Sequence, residues 1–241
     1  MKTAIIIPAR YASTRLPGKP LVQIAGKTML QRVVELAQQA CSTLADVEIC
    51  VATDDERIGR HCDTLAVKWL MTPVTCATGT DRAEAAVQQL QVEPDFVLNL
   101  QGDAPLTPPD FITALISSFG SHPTDVITPV TQLSWEELDN LRVQKRSTPF
   151  SGTCALFEQH SGKAFWFSKN ILPAIRNEAK LRSASSLSPV FRHIGLYGYS
   201  RKMLGLFVKL PEGHFEALEG LDQLRVLENG YTIQCVPVAY R

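Results

Sequence analysis

Short runs of β-forming residues alternate with helical patterns through the first half of the chain, and no other feature limits the fold as much. Ala4 to Ile7 reads as a strand, and a helix is expected from Thr28 to Ala40. Val47 to Thr53 is a second strand. Asp54-Asp55 then starts a helix, its carboxylates suited to the positive helix end. Asp81 to Gln91 reads as helical after the turn Thr78-Gly79-Thr80, with Thr80 as its N-cap. Phe96 to Leu100 is a buried strand, Pro108-Pro109 opens a further helix, and Val126 to Val130 is another strand. Such alternation builds an α/β fold: a mostly parallel, Rossmann-like sheet with helices on both faces.

From Ser134 to Ser188 the pattern loosens into what reads as a smaller β-rich insertion. Cys154 to Phe157 and Ala164 to Phe167 suggest a hairpin around Gln159-His160-Ser161-Gly162, and Ser183 to Ser188 a mobile serine-rich loop. Phe191 to Tyr199 reads as one strand, Phe215 to Glu228 as one helix ending at Asn229-Gly230, and Tyr231 to Val238 as a last strand. No internal repeat or linker is visible. The expectation is one domain over 1–241, with 134–200 as a subregion of its own.

Composition excludes several classes. Formal net charge is +0, so the chain as a whole has no electrostatic attraction for nucleic acid or an anionic membrane. Any anionic ligand must be held by locally placed cations. The six cysteines show no C-x-x-C pair and no zinc spacing, which fits reduced thiols rather than disulfides. The first apolar run is too short for a signal peptide, and no run approaches a membrane span. The cytoplasm is the expected compartment.

Local cations do occur. The segment Pro8 to Pro20 follows the first strand, and in open α/β sheets ligands bind beyond the carboxyl ends of strands. It carries Arg10, Arg15 and Lys19, with hydroxyls at Ser13 and Thr14. With Gly18 as its sole glycine it is no dinucleotide or P-loop turn. Three cations in ten residues suit a triphosphate clamp, and would equally suit a solvated loop. Asp103, in Gln101-Gly102-Asp103 after a buried strand, is placed to hold Mg²⁺ against phosphates, or simply to make a turn before Pro105. Strand alternation places His193, Tyr197 and Tyr199 on one face while Ile194 and Leu196 pack the other way. On the expected helix, Glu216, Glu219 and Gln223 share a face opposite Leu218, Leu221 and Leu224.

The string Ile7-Pro8-Ala9-Arg10, followed by Ser13-Thr14-Arg15-Leu16-Pro17-Gly18-Lys19-Pro20, resembles the opening of the 3-deoxy-manno-octulosonate (Kdo) cytidylyltransferases. The likeness recurs along nearly the whole chain. Gln101-Gly102-Asp103-Ala104-Pro105 is similar to the family's Q-G-D-E-P, and Thr78-Gly79-Thr80-Asp81-Arg82 to its S-G-T-E-R. Arg192 to Tyr199 is similar to R-H-L-G-I-Y-G-Y, and Leu221-Asp222-Gln223-Leu224-Arg225 to L-E-Q-L-R, with Asp222 one methylene shorter than the family's glutamate.

The resemblance implies a nucleotidyltransferase sheet and transfer of CMP from CTP to the anomeric hydroxyl of Kdo or a similar acid, with release of pyrophosphate, for lipopolysaccharide synthesis. It implies that Ala9, Arg10, Ser13, Arg15, Lys19, Thr78, Gly79, Thr80 and Gln101 hold the nucleotide. Arg10, Arg15, Lys19 and Asp103 would carry the chemistry, with Mg²⁺ on Asp103. Gln101, Lys169, His193, Tyr197, Asp222 and Gln223 would bind the sugar acid, and a homodimer is expected.

Three departures stand out. Phe167-Ser168-Lys169 replaces the family's F-S-R, and an ammonium grips a carboxylate differently from a guanidinium fork. Leu141 to Gln159 matches poorly. The family's V-D-T-P-E-D segment, which supplies a second metal-binding aspartate, is not found before Tyr240-Arg241. The resemblance is thus to a divergent or shortened member, leaving Asp103 as the evident carboxylate ligand. Such a chain could also be an impaired or non-catalytic nucleotide- or sugar-binding homologue, or a cytidylyltransferase for another surface polysaccharide.

Overall fold

Ile5, Ile6 and Ile7 are fully buried although they are consecutive on one strand, Thr3–Ala9. Neighbouring strand residues point to opposite faces, so this strand is covered on both sides, as expected of a parallel sheet between helices. The computed structural model describes residues 1–12 and 16–239 and divides into two compact units. The first comprises 1–123 and 196–209. The second comprises 124–195 and the chain from 210 onward.

In the first unit, Thr3–Ala9 runs parallel to Val47–Thr53 on one side and to Phe96–Asn99 on the other. Lys68–Met71 extends the parallel set beyond Val47–Thr53. Tyr197–Ser200 pairs antiparallel with the other side of Phe96–Asn99, with Tyr197 opposite Asn99. Helices Met29–Cys41 and Gly79–Val87 pack on the first strand, and Pro109–Ser121 packs against Met29–Cys41. Thr28 caps the first of these through the Gln31 N–H, and Asp55 caps Glu56–Thr64 through the Arg57 N–H. The strands and helices expected in this half are therefore present.

The second unit is mostly antiparallel. Its long strand Val126–Ser134 pairs antiparallel with Leu187–His193 and parallel with Ile233–Pro237. The hairpin expected around Gln159–Gly162 forms, with Cys154–Phe157 against Ala164–Ser168. A 13-residue helix, Trp135–Ser147, occupies sequence that looked loose. Ser134 and Glu137 form its capping box, and Trp135, Leu138 and Leu141 supply its buried side.

Three expected elements differ. The strand expected over Phe191–Tyr199 is two strands, interrupted around Gly195 and divided between the units. His193 and Tyr197 therefore do not share one strand face. The helix expected over Phe215–Glu228 is also two, His214–Glu219 and Gln223–Glu228. Gly220 ends the first in a left-handed conformation (φ 62°), which only glycine adopts without steric cost. Leu218, expected on the apolar stripe, is exposed. The serine-rich 183–188 segment is the end of helix Glu178–Ala184 and the start of strand Leu187–His193. All six cysteines are free thiols, four of them buried. No helix among the described residues is long and apolar enough to cross a membrane.

Candidate active site

The first unit holds a cavity of about 420 Å³ at the carboxyl ends of its two central parallel strands. Pro8, Ala9 and Arg10 line it from the end of Thr3–Ala9, and Gln101, Gly102 and Asp103 from the segment after Phe96–Asn99. Lys19 and Pro20 reach it from a single 3₁₀ turn, Lys19–Leu21. Thr78 and Gly79 present the start of helix Gly79–Val87, where backbone N–H groups lack helical partners. Seven residues expected to hold a nucleotide or metal thus meet around one space: Ala9, Arg10, Lys19, Thr78, Gly79, Gln101 and Asp103. Ser13 and Arg15 lie outside the described residues.

Local geometry explains why these loops approach so closely. A Cβ at Gly102 would stand 2.6 Å from the Pro8 carbonyl oxygen, so only glycine allows the two strand-end segments to meet. Gly18 has φ +69°, and its N–H donates to the Tyr11 carbonyl at 2.9 Å, tying the two described ends of the loop. The Arg57 guanidinium lies 3.3 Å from the Tyr11 ring centroid and is itself held by Asp55 at 2.6 Å. Lys19 Nζ donates to Asp103 Oδ2 at 2.6 Å, so the cation of one loop meets the carboxylate of the other.

Thr80 departs from expectation. Thr78, not Thr80, caps the helix: its hydroxyl oxygen accepts the Asp81 N–H, while Asp81 accepts the Thr78 N–H. Thr80 is buried and absent from the cavity wall, its Oγ1 accepting from Asn99 Nδ2 at 3.2 Å. Arg82 has no role in the sequence reading, yet it lines the cavity from a buried position. It donates to Asp54 at 2.7 Å and to Thr72 at 2.6 Å. Its place in the Thr78-to-Arg82 string was the available signal.

The residues expected to bind a sugar acid fall in both units. Gln101 and Tyr197 belong to the first, and the Tyr197 ring centroid stands 6.3 Å from that of Tyr199. Lys169, His193, Asp222 and Gln223 belong to the second. There Thr153 joins two of them: its Oγ1 accepts from Lys169 Nζ at 3.2 Å and its carbonyl from the His193 N–H at 2.8 Å. His193 is buried, with Nε2 2.8 Å from Thr128 Oγ1 and the Phe167 ring edge-on. Burial, with the nearby Lys169 charge adding to it, pushes the imidazole pKa down to about 3, so the ring is neutral. Gln223 is buried at the start of its helix, and Asp222 is the exposed residue before it. Glu216 forms a buried pair with Arg225 rather than facing solvent.

Known proteins bear out the family that these loops suggest. The sequence profile described as Cytidylyltransferase matches residues 4–233. The 3-deoxy-manno-octulosonate cytidylyltransferase of Maricaulis maris is 40% identical over 243 residues, covering 100% of this chain and 90% of that protein. The 8-amino-3,8-dideoxy-manno-octulosonate cytidylyltransferase of Shewanella piezotolerans is 39% identical, covering 100% and 91%. Among solved structures, CMP:2-keto-3-deoxy-manno-octonic acid synthetase complexed with CTP superimposes with a TM-score of 0.83 at 34% identity, covering 100% of this chain and 91% of that one. The chain belongs to the cytidylyltransferase family.

Proposed function

We propose that this protein transfers CMP from CTP to the anomeric hydroxyl of Kdo or its 8-amino analogue, releasing pyrophosphate. The observation that carries this reading is the cavity where Arg10 and Lys19 face Asp103, Gln101 and the N-terminal turn of Gly79–Val87. On a chain of zero net charge, cations gathered at a parallel strand end suit a triphosphate. The full-length relatives, which act on these two acids by name, supply the acceptor class.

In the reaction, the sugar hydroxyl oxygen forms a bond to the α-phosphorus as the α–β phosphoanhydride bond breaks. The hydroxyl proton leaves to solvent, and the electron pair departs with pyrophosphate. Arg10 and Lys19 would oppose the charge that builds on the phosphate oxygens, and the helix start at Thr78-Gly79 would offer N–H donors.

The residues present fit Mg²⁺. Asp103 is the one acidic side chain among the described cavity residues and is half exposed. No group of three or more His, Cys, Asp or Glu residues that could hold a metal ion gathers anywhere among the described residues, so the substrate phosphates would have to complete the site. Mg²⁺ is commonly held by one or two carboxylates together with substrate phosphates, so Asp103 would hold it here. Bound there, the ion would neutralise phosphate charge and acidify the attacking hydroxyl. The same reading takes the reaction to be cytoplasmic, in keeping with the free thiols, to be carried out by a homodimer, and to serve lipopolysaccharide synthesis.

Pyrophosphate release across the four nucleoside triphosphates, each with Kdo and its 8-amino analogue, with and without Mg²⁺, tests the reading. Release is expected only with CTP, Mg²⁺ and a 3-deoxy-ulosonic acid. Saturable CTP binding without turnover on any acid would reject it in favour of a binding protein.

A further inference from the structure

We propose that Lys145 and Glu219 are positioning residues that fix Lys169 for the carboxylate of the sugar acid. The proposal rests on the reading of Lys169 as a sugar-acid ligand. A lysine binds a carboxylate as a point charge on a flexible stem, without the preset fork of arginine. Its grip therefore depends on how firmly its own backbone is held.

Both backbone groups of Lys169 are held by charged side chains. Glu219, at the end of helix His214–Glu219, accepts the Lys169 N–H at 2.7 Å on one carboxylate oxygen. Its other oxygen accepts the Ser168 hydroxyl at 2.7 Å, and Ser168 Oγ in turn accepts the Asn170 N–H at 2.9 Å. From the other side, Lys145 Nζ donates to the Lys169 carbonyl. The same ammonium also reaches the Ser151 carbonyl and, at 3.2 Å each, those of Pro149 and Gly152. Hydrogen bonds to ionised groups are the stronger kind.

Lys145 thus joins the Lys169 turn to the segment that leads directly into Thr153, whose hydroxyl receives Lys169 Nζ. The frame closes on itself: backbone and head group of Lys169 are referred to the same short loop. Three protons on Lys145 serve four carbonyls, so its ammonium is committed to shaping this turn. Burial holds the Lys145 pKa below the ordinary lysine range, in keeping with a partly enclosed head group. The F-S-K departure from the family's F-S-R is thereby given a local support.

Steady-state kinetics with CTP and Kdo on the full chain test this. Lys145→Met and Glu219→Gln should each raise KM for Kdo about tenfold, the scale of one charge-assisted hydrogen bond, with KM for CTP within about twofold. Lys169→Met should raise KM for Kdo at least as far. The double variants Lys145→Met/Lys169→Met and Glu219→Gln/Lys169→Met should be no worse than Lys169→Met alone, because each partner acts through Lys169. Effects that multiply in the double variants, or that raise both KM values alike, would mark a general structural role and overturn the proposal. If Lys169→Met alone leaves KM for Kdo unchanged, the ligand reading fails and takes the proposal with it. If Lys169→Met raises it and the other two do not, positioning alone fails. Should Lys145→Met not fold, the near-isosteric Glu219→Gln pair carries the same comparison.

Discussion

The two units hold their candidate functional groups by different means. In the first, they sit on loops at the ends of buried parallel strands, and the strands do the positioning. Ile5 to Ile7 fix where Ala9 and Arg10 emerge, and the Phe96–Asn99 strand fixes where Gln101 and Asp103 emerge. In the second, Lys169 and His193 are held by side-chain bonds that cross between elements: Glu219 to Lys169, Lys145 to Lys169, Thr128 to His193. A parallel sheet positions its loop residues by topology, whereas this antiparallel unit holds its candidate residues by individual polar contacts. The first arrangement should tolerate the loss of a polar side chain in its fold but not in its chemistry. The second should be sensitive in both.

Among the described residues each unit nonetheless offers a largely buried ion pair, which allows a direct comparison. Arg82 pairs with Asp54 in the first, and Arg225 pairs with Glu216 in the second. Removing one partner of a buried pair leaves an uncompensated charge and costs about 3–5 kcal/mol. Arg82→Met and Arg225→Met should therefore both destabilise on that scale. Denaturant-dependent hydrogen exchange should show the loss in the strands of the unit that holds the pair: Thr3–Ala9 for Arg82, Val126–Ser134 for Arg225. A loss below about 1 kcal/mol in either would show that the pair is replaceable there and would break the symmetry of the comparison.

The same contrast explains what could be read from sequence. Strand-end loops are contiguous, so Pro8 to Pro20 and Gln101 to Asp103 announced themselves as short strings, and seven of their expected residues and those of the Thr78 turn share one cavity. The second unit was less legible because its contacts join residues far apart in the chain, such as Lys169 to Lys145 and Glu219. Two elements differ from the sequence pattern where an apolar period continues through a glycine. The strand breaks over 194–196, around Gly195, and Gly220 ends the helix, and the apolar period alone registers neither. The helix Trp135–Ser147 was missed because its buried side is only Trp135, Leu138 and Leu141 among many charges. Its Ser134-to-Glu137 capping box was a legible start signal. The Thr78 cap was also within reach, since threonine followed three residues later by an acid marks a helix start.

The sharpest chemical difference between the units should appear at Lys19. It is partly exposed, on a single 3₁₀ turn, and bonded to Asp103 across the cavity. Little apolar packing depends on it, so Lys19→Met should leave the unfolding midpoint near that of the parent. If Lys19 opposes charge on the transferring phosphate, kcat/KM for CTP should fall about 10²- to 10³-fold, as for removal of one preorganised donor. Pre-steady-state pyrophosphate release separates the chemical step from CTP binding. A loss confined to KM would make Lys19 a binding cation without a role in the transition state. A loss of stability as large as that of Arg82→Met would remove the distinction between strand-positioned chemistry and contact-positioned structure.

The change expected from His193 is a difference of one proton in the pH slope rather than a loss at a single pH, and its sign separates a buried polar contact from an exposed one. The folded pKa is depressed to about 3 by burial, with the Lys169 charge acting in the same direction, while an unfolded histidine titrates near 6.5. Between these values the unfolded chain carries a proton that the native chain does not, so stability rises with pH. The contribution is therefore fully present above about pH 6.5 and is lost as pH falls toward 3. This single site contributes a slope of up to about 1.4 kcal/mol per pH unit within that window. His193→Gln keeps a polar partner for Thr128 and removes the titration, so urea unfolding between pH 6.5 and 4 should show a slope shallower by one proton. Carboxylates contribute to the same acid limb in both proteins, and the difference between the two curves cancels them. An unchanged slope would mean that His193 exchanges protons in the folded state, and the contrast between a closed polar frame in the second unit and an open cavity in the first would then lose its clearest support.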